Sequence, residues 1–377
     1  MGLALRFIHT ADWHIDKVFG FLDDQATVAA RDARLDAITT IGRLAREQAA
    51  PVVLVAGDVF DHDRVGDLRL DQPLERMRAF PGIAWHLIPG NHDPDRPGGV
   101  WERIARRGLP ENVHLHRSAT PVAIADGAWL LPAPLQRKHT LCDPTLWMDG
   151  AAIAGGALRI GLAHGPVLDF GGAPGSAANR IAADRAETAR LDYLALGDRH
   201  ATLRLGPRCW YAGTPEADGF EGPASGAVLL VDLPGPGAPP EVLSLATGRF
   251  HWHREAVVLH DAADVDLLEE RLRAHHPDPA CLLVRLEVEG TLSLADRLRF
   301  DERIGQRLRA ALRALDLRDR LITAPSIEDL DRIAPGGVVR AAAERLARRM
   351  REASGEEQAI AQQALLRLCV EQRRHAP

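Results

Sequence analysis

The chain has 377 residues, 46% hydrophobic and 26% charged, with a formal net charge of -6 at pH 7. That is apolar material for a large core and two or three domains; there is no basic excess to attract nucleic acid by the overall field and no run long enough to span a bilayer. Cys142, Cys209, Cys281 and Cys369 stand without close pairing, which argues against a zinc ribbon or a secreted disulfide framework and for a reducing cytoplasm. The first ten residues show no cleavage-site pattern, so neither export nor anchoring is expected.

Residues 3–9 read as a first strand, and 27–49 as a helix whose Ala30, Leu35, Ile38, Ile41 and Leu44 recur near helical spacing. Pro51 stops that helix and 52–55 begins a second strand. A helix at 67–80, a strand at 83–88 and a short helix at 99–108 follow, the last closed by its glycine. This alternation predicts an α/β layer with a largely parallel sheet. From Val113 onward short strands with Pro and Gly punctuation take over, at 128–131, 158–163, 193–196, 227–233 and 241–245, and a second sheet packed on the first is expected. The Pro-Gly tract 234–240 reads as a hairpin loop, and the Gly-rich 167–179 as either a flap or a passive surface loop.

A different unit begins near Phe250, with a strand at 257–259, a helix at 262–274 and an alternating strand at 282–288. A helix at 293–315 carries Ile304, Leu308, Leu312 and Leu315 as its stripe. Two further helices, 337–353 and one opened by Ser354 with Glu357 at the capping-box position, either pack on their own domain or dock a partner.

Five apolar runs end in Asp, Asn or His: His9-Thr10-Ala11-Asp12-Trp13-His14, Ala56-Gly57-Asp58-Val59-Phe60-Asp61, Gly90-Asn91-His92-Asp93, His164-Gly165 and Gly197-Asp198-Arg199-His200. Any one of them is an ordinary cap or turn. Together they set ligands at the carboxyl ends of neighbouring strands, where side chains converge. Two divalent cations about 3.5 to 4 Å apart need one shared carboxylate and hard or borderline ligands on both sides. Asp58 is the natural bridge, and Asp12 and His14 reach one cation across a tight turn. Asn91 offers a neutral amide oxygen where an anionic phosphate must enter, and His164, Asp198 and His200 complete the shells.

In order and spacing, Asp12-x-His14, Gly57-Asp58-x-x-Asp61, Gly90-Asn91-His92-Asp93, His164-Gly165 and Gly197-x-x-His200 resemble the five motifs of the calcineurin-like metallophosphoesterases. The runs 9–14 and 56–61, with Tyr211-Ala212-Gly213-Thr214-Pro215, are similar more narrowly to SbcD-type and YhaO-type bacterial nuclease subunits. The likeness covers about residues 4–245 by motif and, beyond Phe250, by layout alone. It implies an α/β (α+β) protein: the αββα metallophosphoesterase sandwich over 1–248, a small α+β capping and DNA-contacting domain over 249–330, and C-terminal helices, a partner-binding segment, over 331–377.

The same resemblance implies Asp12, His14 and His200 on a first metal, Asn91, His164 and residue 198 on a second, and Asp58 shared. Manganese is the usual metal of such nucleases, with magnesium or iron as alternatives. His92 would stand beside the metals and protonate the leaving oxygen or steady the phosphate, and Asp61 would hydrogen-bond it to set its tautomer. A hydroxide held between the cations would attack phosphorus in line. One position departs from the family's Gly-His-x-His: Asp198, shorter and anionic, either ligates through oxygen or leaves a water in the gap, and ligation is the expectation.

The expected function is a two-metal phosphodiesterase acting on DNA, as an exonuclease or endonuclease of repair or end processing. By family likeness its partner would be an SbcC/YhaN-like coiled-coil ATPase docked on the helices from about Gly337, with a homodimer left open and no membrane. The rival is a small-molecule metallophosphoesterase for a cyclic nucleotide or nucleotide-sugar lipid; a non-enzymatic scaffold lacking the second metal is the third reading. Among the arginines crowding 297–313, Arg297, Arg303 and Arg307 are candidate DNA contacts, against the plainer reading of a solvated face. His62, His86, His114, His116, His139 and His251 recur in no pattern and are read as structural, although His62 and Asp63 would line the cleft if they do not form a surface loop.

Overall fold

A computed structural model describes residues 4–167, 178–220, 226–323, 331 and 336–375. The expected loop at 167–179 lies almost wholly outside the described residues, as does most of the segment around the expected boundary at 330. Two compact units are present, Met1–Phe250 and His251–Pro377. No helix among the described residues is long and apolar enough to cross a membrane.

The first unit is built on two six-stranded sheets. In one, β1 (Leu5–Thr10), β2 (Val52–Val55), β3 (Ala84–Leu87) and β4 (Val113–Leu115) run parallel. All of β2 is buried, as a β-branched strand covered on both faces must be. Val53 and Val55 face the helices α1 (Asp24–Glu47), α2 (Asp67–Arg78) and α3 (Val100–Arg107), meeting Ile38, Ile41, Met77 and Trp101. Val52 and Leu54 face the second sheet, where Leu130, Ile160, Leu162 and Ala195 close the middle of the core.

That second sheet holds β5 (Val122–Ala125), β6 (Ala128–Ala133), β7 (Leu158–His164), β8 (Tyr193–Gly197), β9 (Leu203–Arg204) and β10 (Cys209–Tyr211), in the order β5-β6-β7-β8-β10-β9. Its outer face, with Ala163, Leu194 and Leu196, packs on Met148, Ile181 and Leu191 around the short turns 146–150 and α4 (Arg185–Thr188). The layers therefore run α, β, β, α. One expectation needs correction: β11 (Ala227–Leu233) and β12 (Glu241–Ala246) join the first sheet, antiparallel, with Phe7 opposite Val231. Val228 to Val231 are buried on both faces, which suits the place beside β1. Asp232 pairs with Glu241 across the Pro-Gly hairpin.

The second unit is a parallel sheet of β13 (His251–Leu259), β14 (Leu282–Leu292) and β15 (Ala314–Thr323) under α5 (Ala262–Ala274) and α6 (Leu294–Glu302). Helix α6 continues through a π-helical turn at Arg303–Leu308 into α7 (Arg309–Ala311). Strand β15 went unread because Leu308, Leu312 and Leu315 prolong a helical stripe. The chain turns extended at Leu312, with ψ of 157°, and the charged Arg318, Asp319 and Arg320 mask the alternation of Leu315, Leu317 and Leu321. Helices α8 (Gly337–Glu352) and α9 (Glu356–His375) join Ala343, Ala347, Met350, Ala361 and Leu365 in a core that includes Leu294 and Leu298.

Candidate metal centre

The ends of β1, β2, β3, β7 and β8 meet at one point. Past Thr10 the backbone turns left-handed at Asp12 (φ 54°) and His14 (φ 44°), and it does so again at Asp58 (φ 53°) and Asp198 (φ 107°). Such geometry costs about 1–3 kcal/mol at a non-glycine residue. It is held because one turn is laced to the next: Asp12 N–H donates to the Gly57 carbonyl at 3.1 Å, and His14 N–H to that of Asp58 at 3.0 Å. The motif glycines permit this approach. A Cβ on Gly90 would lie 2.1 Å from Asp58 Oδ1, and one on Gly197 2.0 Å from the Ala56 carbonyl oxygen.

Asp12, His14, Asp58 and His164 are at most 2% exposed. Ligand atoms of Asp12, His14 and His200 lie within 4.8 Å of one another, and so do those of Asp12, Asp58 and His164. His164 Nδ1 donates to the Ala56 carbonyl at 2.8 Å, which turns Nε2 toward Asn91 Oδ1 at 2.9 Å and Asp58 Oδ2 at 3.4 Å. His14 Nδ1 donates to Asp61 Oδ1 at 3.0 Å; its Nε2 sits 3.6 Å from Asp58 Oδ2 without a hydrogen bond. Asp198 is placed beside this group, its Oδ1 4.0 Å from His164 Nε2 and its N–H on the Asp12 carboxylate at 3.1 Å.

Burial pushes the Asp12 carboxyl up to about 7; Asp58 and Asp198 add to the shift, and His164 and His200 oppose it. Burial likewise raises Asp198. Asp58 feels the same desolvation, but His164, with His14 and His92, outweighs it and holds the carboxyl below the usual range. Imidazole lone pairs facing carboxylate and amide oxygens are acceptors facing acceptors, an arrangement that a cation reconciles. The buried and unsatisfied His14 Nε2, beside a mixed set of carboxylate, amide and imidazole donors, fits divalent metals of hard to borderline character.

The supporting contacts differ from expectation in one bond. His92 Nδ1 donates to the main-chain carbonyl of Asp61 at 2.8 Å, while the Asp61 carboxylate is taken by His14. The more buried imidazole claims the charged acceptor. Two acids were missed as organisers. Buried Asp93 accepts from Gly90 N–H at 2.7 Å and Phe60 N–H at 3.0 Å, pinning two motif turns together. Asp218 binds His200 Nδ1 at 2.9 Å and Arg34 Nη2 at 3.3 Å. Arg34 was legible: it occupies the apolar stripe of α1 between Ala30 and Ile38, where a charge needs a buried partner. Nothing local marks Asp218.

A cleft of about 400 Å³ opens beside the centre, lined by Asn91, His92, Arg96, Arg137 and Lys138, with His62 and Asp63 among its walls. A larger hollow of about 1000 Å³ lies at the amino ends of β2 and β3, beside Val52 and Ala84, the end of a parallel sheet opposite to that which holds ligands. In the second unit Arg297 lies against Asp319 and Asp301, Arg303 against Glu269 and Asp266, and Arg307 against Glu302.

Residues 5–201 match the profile of the calcineurin-like phosphoesterases. The chain is 25% identical over 288 residues to the SbcD subunit of the SbcCD nuclease of Bacillus subtilis (strain 168), across 65% of this chain and 71% of that one. It is 27% identical over 283 residues to the SbcD subunit of the same nuclease from Rhodobacter capsulatus, across 62% and 68%.

Proposed function

The chain belongs to the calcineurin-like phosphoesterases, and from that premise we propose that this metal-dependent hydrolase is a phosphodiesterase cleaving DNA with two divalent cations, manganese first among them. The observation that carries the reading is Asp58, whose Oδ2 lies between the two imidazoles, 3.6 Å from His14 Nε2 and 3.4 Å from His164 Nε2. Asp12, His14 and His200 would hold one cation, Asn91, His164 and Asp198 the other, and Asp58 both. Bound there, the ions lower the pKa of a water toward ~7 and offset charge on the phosphoryl oxygens.

The protein's own groups do the rest. With Nδ1 donating to the Asp61 carbonyl, His92 in its imidazolium form would give the Nε2 proton to the leaving oxygen and become the neutral imidazole. Asp61 and Asp218 fix the rings of His14 and His200, as outer carboxylates do for ligating imidazoles. Arg137 and Lys138 bring positive charge to the cleft, where Arg96 is paired with Asp63, and that charge draws an anionic strand toward the centre. The relatives are named as subunits of a nuclease, and a coiled-coil ATPase of the SbcC/YhaN kind is the partner we assign to the C-terminal helices.

End-labelled single- and double-stranded DNA, offered with manganese beside a cyclic dinucleotide, tests the assignment. DNA cleavage that chelation abolishes is expected. Turnover of the cyclic dinucleotide with DNA left intact would move the protein to small-molecule chemistry, and inertness toward both would leave a scaffold.

A further inference from the structure

We propose that the second unit carries a metal site of its own, in which His253, Glu255 and His275 hold one zinc-class divalent cation. His253 and Glu255 stand two apart on β13 and so share a face of the strand. That face continues as Val257 and Leu259 into the core formed with Val265, Leu268 and Leu272 of α5. At His253 the core gives way to polar side chains, and there α5 ends, with His275 as its C-cap.

The three side chains bring ligand atoms within 4.8 Å of one another. His253 Nε2 is 3.2 Å from Glu255 Oε2, and the His253 and His275 rings have centroids 3.7 Å apart at 39°. Two imidazoles this close can share one cation but cannot comfortably carry a proton each. The second oxygen of Glu255 is engaged by Arg271, which aims Oε2 at His253 in the way an outer partner orients a ligating carboxylate. The closing carbonyls of α5 add a partial negative charge at the same spot.

Two imidazoles and one carboxylate with positions left open suit zinc, and by softness also nickel or copper, better than magnesium. The first unit's centre, by contrast, is richer in oxygen. A bound cation here would clamp the end of α5 to the edge strand of a three-stranded sheet, a stabilising role that small domains often give to zinc.

Equilibrium dialysis of the full chain against zinc, with the metal counted, tests this. The His253→Asn/His275→Asn double variant is expected to hold one zinc fewer than the parent while keeping its circular dichroism spectrum. With cobalt in place of zinc, the visible bands should lose the contribution of one imidazole-ligated ion in the same step, those of the first unit's centre remaining. Equal metal counts in parent and folded variant overturn the proposal. If the double variant does not fold, His275→Asn alone, at an exposed cap position, decides: zinc binding at least ~10-fold weaker is expected, and unchanged affinity overturns the site. None of these readouts depends on whether the first unit cleaves DNA.

Discussion

In the first unit Asp12, Asp58 and Asp198 crowd around the imidazoles of His14, His164 and His200 on backbone held in left-handed turns. In the second, Arg297, Arg303 and Arg307 each lie against an acid from the same helical stretch or a neighbouring element. By count of charges the arginine helix looks the more eventful. By arrangement it is the quieter region, since Arg297, Arg303 and Arg307 are each matched with an acid and leave little net field. Like charge gathered in a buried place, with a donor nitrogen unmet, is what an incoming cation needs.

Asp58→Ala should break this contrast most severely. Removing the shared carboxylate is expected to lower manganese-dependent hydrolysis of a phosphodiester by at least about 10³-fold and to reduce bound metal; activity within tenfold of the parent would mean that Asp58 is not the bridge. His92→Ala is expected to cost about 10²- to 10⁴-fold in turnover with metal content intact. Metal analysis of the purified variant checks this, and metal lost along with activity would put His92 among the ligands.

A smaller effect is expected from Asp218→Asn, which leaves His200 in place but loosens its orientation. Metal affinity should fall about 10- to 100-fold, and hydrolysis should recover as manganese is raised. Arg297→Ala sharpens the other side of the comparison. It should lower the stability of the second unit by about 1 kcal/mol in denaturant titration and leave the salt dependence of DNA binding where it was. A salt slope flatter by about one unit would put that guanidinium on a phosphate.

How far the residues could be read in one dimension differs between these regions for a physical reason. The turn glycines and the ligands beside them sit within a few positions of each other, so the runs around Gly57-Asp58 and Gly90-Asn91 are legible as local patterns, although Gly66-Asp67, the same pair of residues as Gly57-Asp58 elsewhere in the chain, meets nothing. Strand β15 was hidden because leucines three apart fit a helix as well as they fit the end of one, and its charged middle has weak strand preference. The placement of β11 could not be read either, because a strand buried on both faces fits either sheet, and β12 goes with it through the hairpin. The sharing of Asp61, with its carboxylate on His14 and its carbonyl on His92, depends on which imidazole is more buried.

The order of residues along the chain thus determined the inventory of the centre: which acids, amides and imidazoles stand at strand ends, and where glycine must accompany them. Tertiary structure alone decided which nitrogen faces which oxygen, that Asp218 holds both His200 and Lys17, the latter 201 positions away from it, and that Arg297, Arg303 and Arg307 are each paired with an acid. A hydrogen bond or ion pair is set by distance in space, and elements far apart in sequence acquire that distance only when the sheets close.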